Sequence, residues 1–246
     1  TVKAGNILVS TRASLISAGT ERMVVEFARK SLAGKARERP DLVKIVLTKA
    51  KRDGVAATIR SVLARLDEPL PLGYSAAGDV VAVGAGLEGR FRVGQRVAVA
   101  GAGLANHAEL NVIPEALAAP IPDDVSYEEA CFGTLSSIAM HAVRNLGASF
   151  GESVAVIGAG LLGQLVIRLL CLSGVRVLAL DYNVPRLDLA RRMGAEATYD
   201  LGGDDVETTV RDLTAGRGMD GIIISAATES SEPFKVAGVI ARDRAR

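Results

Sequence analysis

The second half of the chain alternates short apolar runs with longer amphipathic segments. The apolar runs SVAVIG, RVLALD and GIIISA, together with ATYD, are separated by segments with helical spacing of apolar residues at 161–173, 185–193 and 204–214. Strands that alternate with helices of this length favour right-handed βαβ units. The pattern therefore predicts a parallel, doubly wound sheet with four strands after residue 150.

The first half has a different pattern. Residues 7–17 are rich in β-branched and apolar residues, which predicts a strand followed by a turn. Short β-rich runs separated by glycine between 73 and 118 predict antiparallel strands of a compact, barrel-like unit. Apolar residues at helical spacing predict about three helices over 22–68, and one more helix is expected near 126–146.

Composition narrows the classes of function. The 246 residues, 49% of them hydrophobic, can form two modest domains with cores of their own, and the net charge of +1 gives no argument for nucleic acid or an anionic membrane as partner. No run of about 18 apolar residues occurs, so a membrane-spanning helix is not expected. Two cysteines, Cys131 and Cys171, favour a reducing compartment, and we expect a cytoplasmic protein.

Charge is distributed unevenly along the chain. Between Arg22 and Leu66 there are twelve Lys and Arg against four Asp and Glu, so this segment carries +8 and the remainder −7. Two interpretations are open. The segment forms amphipathic helices with a solvated basic face, or it lines an entrance that attracts an anionic substrate such as a phosphorylated or nucleotide-linked sugar.

A glycine motif follows the apolar strand SVAVI and opens the next helix. Gly158, Gly160 and Gly163 form the pattern GxGxxG in the strand-to-helix context that this motif requires. Gly158 permits the tight turn, Gly160 lets the backbone approach a pyrophosphate, and Gly163 lets helix and strand pack closely. The free N–H groups of the helix start, which includes Leu161 and Leu162, would face the phosphates.

Three further positions extend the predicted cofactor site. Asp181 ends the next strand, where a carboxylate can accept hydrogen bonds from the adenine ribose and repel a 2′-phosphate, so NAD is favoured as cofactor. Arg186 could accommodate that phosphate, which leaves NADP open. Ser225 and Ala226 end the fourth strand, where small residues suit a nicotinamide or its ribose, or are close-packed turn residues.

The combined pattern resembles the medium-chain dehydrogenase/reductase family, in which a GroES-like barrel precedes a Rossmann domain. The resemblance rests on NILVSTRASLISAGTE, GDVVAVGAGLEGRFRVGQRVAV and GTLSSIAMHAVRNLGASFGESVAVIGAG. It implies an α/β protein with a GroES-like domain at 1–125, carrying a helical insertion at 22–68, and a partial Rossmann domain at 126–246. The insertion and the sequence SAGTE resemble bi-domain oxidoreductases with a Gfo/Idh/MocA second half. By this resemblance the chain looks truncated at both ends.

The resemblance also places the metal ligands of the zinc members of this family. Ala18 occupies the place of a cysteine, Tyr74 that of a histidine in a Gly-His-Glu motif, and Gly133 that of the third ligand. None of the three offers a thiolate, imidazole or carboxylate to zinc. Glu21 is retained, but one carboxylate does not form a site. We therefore expect the zinc-independent branch, with no bound metal.

The expected function is hydride transfer between a nicotinamide cofactor and an alcohol, a carbonyl or an activated double bond of a small-molecule substrate. Without a metal, the reacting oxygen still needs a hydrogen-bond donor, and Thr20 and Tyr74 are the candidate catalytic residues. Tyr74 could instead only fill the space of the metal. The alternative function is a non-catalytic dinucleotide-binding module. A homo-oligomer or a fused second oxidoreductase domain is a possible partner.

Overall fold

The structure, a computed structural model, describes residues 2–29, 71–203 and 205–246. The chain divides into two compact units, Thr1–Cys131 and Phe132–Arg246. No helix in the described ranges is both long and apolar enough to cross a membrane. The basic segment predicted as a helical insertion falls largely on residues 30–70 and so lies outside the described residues.

The first unit contains five strands, two α-helices and one short 3₁₀ helix, Glu115–Leu117, among its described residues. Their bounds are β1 Asn6–Ser14, α1 Ala18–Arg29, β2 Ser75–Val83, β3 Arg96–Ala100, β4 Leu110–Pro114, β5 Ala118–Pro120 and α2 Tyr127–Ala130. The strands pair antiparallel in the order β4-β1-β2-β3-β5, which confirms the predicted antiparallel sheet. Alternate residues of β1, Ile7 and Val9, are fully buried and pack with Val97 and Ile113 in the core of this unit.

The second unit alternates helices and strands as predicted. Its elements are α3 Gly133–Leu146, β6 Ser153–Ile157, α4 Leu161–Leu172, β7 Arg176–Asp181, α5 Val184–Met193, β8 Ala197–Asp200, α6 Val206–Thr214, β9 Gly221–Ile224 and α7 Glu232–Ile240. The strands are parallel in the order β8-β7-β6-β9. In β6, Val154 and Val156 pack into one core, and Ala155 and Ile157 pack into another on the opposite face. The sheet is therefore covered by helices on both faces.

The helix predicted near 126–146 is interrupted. The short helix α2 begins at Ser126 with a capping box that Glu129 completes, and α3 ends at Gly147 in the left-handed conformation. Between them the chain leaves the first unit. The hydroxyl of Tyr127 on α2 donates to Asp79 of β2, which holds α2 on the antiparallel sheet. The two compact units divide between Cys131 and Phe132. The domain boundary expected after residue 125 stays a prediction.

Ala18, which the resemblance places at a zinc-ligand cysteine, and Glu21 lie in the first turn of α1. The Glu21 carboxylate accepts a hydrogen bond from the N–H of Ser17 at 3.0 Å, and the N–H of Glu21 donates to the carbonyl of Ser17 at 2.9 Å. These reciprocal bonds are those of a helix N-terminus. Ser17 before the helix and Glu21 in its first turn are the helix-start signals that the sequence carries.

Candidate functional site

A pocket of about 300 Å³ lies at the carboxyl edge of the parallel sheet in the second unit. Five of the predicted cofactor residues line it, namely Gly158, Gly160, Asp181, Arg186 and Ala226. They come from the ends of β6 and β7 and from the segment after β9. In open α/β sheets ligands bind at this edge. The residues predicted from three separated parts of the sequence are therefore neighbours in one pocket.

The three glycines of the motif have three different environments. Gly158 has a φ of +98°, and a Cβ there would lie 2.6 Å from the backbone nitrogen of Ala226. A Cβ on Gly163 would lie 2.0 Å from the carbonyl oxygen of Gly158, so helix and strand touch through backbone at this point. A Cβ on Gly160 would meet nothing within 4 Å. Gly160 thus leaves open space beside the pocket, as a close approach of phosphate requires.

Helix α4 presents backbone donors at this turn. Its first intrahelical bond runs from the N–H of Gln164 to the carbonyl of Gly160 at 2.8 Å. The N–H groups of Leu161, Leu162 and Gly163 precede that bond, in the part of a helix whose donors have no intrahelical partner. Together with the helix dipole they favour an anion. The residues present fit the pyrophosphate of a dinucleotide.

The carboxylate of Asp181 is held by the backbone around the pocket. Its two oxygens accept hydrogen bonds from the N–H of Ala159 at 2.7 Å and from the N–H of Asn183 at 2.9 Å. The Nη1 atom of Arg186 lies 3.6 Å from the same carboxylate, on a side chain that is 56% exposed. Each carboxylate oxygen can accept more than one hydrogen bond. Asp181 can therefore hold the glycine turn in place and also accept hydrogen bonds from the hydroxyls of a ribose.

Two residues at this site have roles in the turn itself. The Ser225 hydroxyl donates to the carbonyl of Gly158 at 2.6 Å, so the interpretation of Ser225 as a close-packed turn residue is the one its geometry favours. Sequence reasoning did not identify Gln164, which is buried and whose amide donates to the carbonyls of Ala159 at 2.9 Å and Arg186 at 2.8 Å. A polar residue inside an apolar helix was the available signal.

The two candidate catalytic residues both lie in the first unit. Thr20 is exposed in the first turn of α1, with its hydroxyl 3.4 Å from that of Ser17. Tyr74 is half-buried immediately before β2, and its carbonyl accepts the N–H of Gly101 at 3.0 Å. Their catalytic role remains a prediction.

A hydrogen-bonded cluster beside these two residues was missed. Its centre is His107, for which the sequence alone indicates a packing or edge position on a strand of the first unit. In the structure its Nδ1 lies 2.8 Å from the hydroxyl of Ser14, and its Nε2 lies 3.1 Å from the carboxylate of Glu21. The partners are 93 and 86 residues away along the chain, so no local spacing could have signalled the cluster.

Three positions, Ala18, Tyr74 and Gly133, stand where the zinc dehydrogenases that the chain resembles have metal ligands. Ala18 and Tyr74 belong to the first unit, and Gly133 begins α3 in the second. Within residues 2–29, 71–203 and 205–246 no group of three or more His, Cys, Asp or Glu side chains could hold a metal ion. Cys131 donates its thiol to the carbonyl of Glu128 at 3.1 Å. The expectation of a metal-free protein stays a prediction.

Burial raises the pKa of both thiols, Cys131 and Cys171. Because the thiolate is the reactive form, we expect both to react with a disulfide reagent at pH 7 at least about tenfold more slowly in the folded protein than in denaturant. Stopped-flow absorbance with and without urea measures the two rates. Equal rates for either thiol would contradict the assignment of that cysteine as a packed residue.

The two sheets and the pocket define an α/β protein similar in fold to the alcohol dehydrogenases. No family model matches the chain. The sequence is 30% identical to (R,R)-butanediol dehydrogenase of Bacillus subtilis over 62% of this chain and 50% of the relative. It is 27% identical to sorbitol dehydrogenase of the same organism over 63% and 52%. The chain thus spans about half the length of the curated relatives it matches.

Solved structures show the same likeness. A crystal structure of 2R,3R-butanediol dehydrogenase from Bacillus subtilis matches with a TM-score of 0.62 and 28% identity over 72% of this chain and 59% of that one. An NAD-dependent alcohol dehydrogenase matches with a TM-score of 0.74 and 22% identity over 100% and 69%. A mycobacterial protein complexed with NADPH matches with a TM-score of 0.69 and 21% identity over 98% and 64%. By name these relatives are alcohol and polyol dehydrogenases and a protein complexed with NADPH.

Proposed function

We propose that this chain binds a nicotinamide dinucleotide in the pocket of the second unit and forms part of an NAD(P)-dependent oxidoreductase of the medium-chain family. The observation that carries the proposal is the open space at Gly160, next to the donors of α4 and the carboxylate of Asp181. The finer assignments are a GroES-like first unit and a Rossmann second unit. The strand order β8-β7-β6-β9 supports the latter.

The proposed reaction interconverts an alcohol and a carbonyl. A bound nicotinamide supplies the acceptor or donor of the hydride. The N–H groups at the start of α4 bind its phosphates, and Asp181 orients its adenine ribose. Thr20 and Tyr74 of the first unit are the proposed hydroxyl donors to a reacting oxygen. No zinc is proposed, because Ala18, Tyr74 and Gly133 stand at the ligand places.

Small polyols are the proposed substrate class. Two relatives are named for a diol, butanediol, and for a sugar alcohol, sorbitol, and each match covers more than 60% of this chain. An anionic sugar derivative is the narrower proposal. It rests on the excess of Lys and Arg between Arg22 and Leu66, which is a property of the sequence.

Two measurements test this function. Titration with NADH and NADPH, followed by the change in nicotinamide fluorescence, tests binding. Absorbance at the nicotinamide band then tests turnover with butanediol, sorbitol, sugar phosphates and the corresponding ketones. Absence of binding would refute the assignment of the pocket. Binding without turnover of any substrate would support the second candidate function, a module that binds the dinucleotide without redox chemistry, which the loss of donor side chains at Ala18 and Gly133 favours.

Replacement of Asp181 by asparagine should shift cofactor preference toward NADPH. The asparagine side chain keeps an oxygen that can accept the N–H of Ala159 but lacks the charge that repels a 2′-phosphate, while Arg186 remains nearby. We expect the ratio of NADH to NADPH affinity to fall by roughly tenfold. Fluorescence titrations of both cofactors measure it, with Asp188→Asn on the exposed face of α5 as control. An unchanged ratio of NADH to NADPH affinity would show that Asp181 holds the turn but does not contact the ribose.

A further inference from the structure

Gln164 is a buried polar side chain of the second unit to which the proposed function assigns no role. It lies on α4 directly after the last glycine of the motif, and the other buried residues of this helix are apolar or glycine. Only 6% of Gln164 is exposed. Its amide nitrogen donates to the carbonyls of Ala159 at 2.9 Å and of Arg186 at 2.8 Å. One side chain therefore joins the glycine turn to the first turn of α5.

The two partners fix the orientation of the Gln164 amide. A carbonyl oxygen only accepts hydrogen bonds, so the NH₂ group of the amide faces both carbonyls. The amide oxygen, Oε1, is buried and has no hydrogen-bond partner in the part of the chain that the structure describes. An unpaired buried oxygen lowers the stability of a protein. The two donors, and not a gain in core stability, therefore explain an amide in this apolar helix.

The bond to Ala159 determines how the next peptide unit is turned. Ala159 is 1% exposed, and its carbonyl points to the buried amide of Gln164. The peptide bond between Ala159 and Gly160 is trans. In a planar trans peptide the C=O and the N–H point in opposite directions. The N–H of Gly160 therefore points away from Gln164.

The N–H of Gly160 is a free donor on a residue that lines the pocket. It has no hydrogen-bond partner among the described residues. The two preceding N–H groups are occupied, because that of Gly158 donates to the carbonyl of Leu180 and that of Ala159 donates to Asp181, each at 2.7 Å. Gly160 is thus the first residue of the turn whose N–H is available to an anion.

We propose that Gln164 is a positioning residue of the cofactor site, an inference that rests on the proposed function. Its amide holds the Ala159–Gly160 peptide in the orientation that directs the Gly160 N–H to the pyrophosphate of a dinucleotide. A donor that is already directed at the ligand binds it more tightly, because no ordering has to accompany binding. Without the amide, the buried carbonyl of Ala159 loses its donor, and the peptide can rotate to find another one. Gln164 acts through Gly160 and does not itself contact the cofactor.

Gln164→Met tests the proposal, because methionine is similarly long and unbranched but has no donor. We expect the affinities for NADH and NADPH to fall by the same factor, about tenfold, because both cofactors carry the pyrophosphate. The ratio of the two affinities should stay unchanged, in contrast to the Asp181→Asn variant. Fluorescence titrations measure both affinities. Gln95→Met is the matched control, because it changes the other glutamine of the chain, between β2 and β3 of the first unit, and should leave both affinities unchanged.

The amide signal of Gly160 reports the orientation of the peptide directly. In protein labelled with ¹⁵N-glycine, inorganic pyrophosphate should shift the Gly160 signal of the wild type. In Gln164→Met this signal should lie at a different position before pyrophosphate is added and should shift less at the same concentration. The signals of Gly158 and Gly163 should stay close to their wild-type positions, whereas a general loosening of α4 would move all three.

The outcomes separate this inference from the proposed function. A wild type that binds neither NADH nor NADPH overturns the proposed function, and a Gly160 signal that pyrophosphate does not shift overturns the role of Gln164. A Gln164→Met variant that binds both cofactors as tightly as the wild type overturns the inference alone. A changed ratio of NADH to NADPH affinity also overturns it, because Gln164 would then act through Arg186. If Gln164→Met fails to fold, Gln164→Leu takes its place, since leucine is the commonest residue of α4.

Discussion

Replacement of Gly160 by alanine is expected to lower the affinity for NADH by about 10- to 100-fold, with almost no change in the free energy of unfolding. The added methyl group meets no protein atom within 4 Å, and the backbone at Gly160 is in an extended conformation that alanine adopts freely. The methyl therefore occupies pocket space that a pyrophosphate needs. Fluorescence titration and urea denaturation measure the two effects on one preparation.

Gly238→Ala is the matched control for this substitution. Gly238 lies in α7 of the same unit, and a Cβ there also meets nothing within 4 Å. We expect unchanged affinity for NADH and a gain in stability of about 0.5–1 kcal/mol, because alanine is the better helix former. Equal affinity of the Gly160→Ala variant and the wild type would mean that the dinucleotide does not approach this turn.

Replacement of Gly163 by alanine should instead destabilise the second unit by about 3 kcal/mol. The new Cβ would lie 2.0 Å from the carbonyl oxygen of Gly158 and 2.9 Å from the hydroxyl of Ser225, and backbone cannot give way as a flexible side chain can. Helix α4 must shift away from β6 to relieve the overlap. The midpoint of urea denaturation, compared with that of Gly160→Ala, measures the cost.

The two substitutions are thus expected to change different properties. Gly160→Ala lowers the affinity for NADH, and Gly163→Ala lowers the stability of the second unit. If Gly163→Ala unfolds at the wild-type urea concentration, then α4 does not pack on the glycine turn as closely as described. If the stability of Gly163→Ala falls but saturating NADH restores it, the variant still binds the cofactor. The pocket then persists despite the shift of α4.

The pocket at the carboxyl edge of the parallel sheet could be located from the sequence because its signals are local. The spacing of Gly158, Gly160 and Gly163 after an apolar strand has a physical reason at each position, and the end of the next strand fixes where Asp181 lies. Parallel strands bring such ends to one edge of the sheet. The pattern of strands and helices followed from periodicity in the same way.

The histidine cluster could not be predicted, because its members are joined only by the folded chain. The partners of His107 belong to β1 and α1, and their pairing depends on how the antiparallel sheet places its loops. The start of α1 was a different case. Its capping signal at Ser17 and Glu21 is local, so it can be found in the sequence.

The hydroxyl of Ser225 has a consequence for the dynamics of the sheet. The Ser225 hydroxyl donates to the carbonyl of Gly158 and so bonds the end of β9 to the turn that would bind the phosphates. A ligand that orders this turn therefore also raises the free energy of opening β9, and hydrogen exchange would slow at amides the ligand never contacts. We therefore expect a ligand in the pocket to stabilise the parallel sheet locally, through the bond between Ser225 and Gly158.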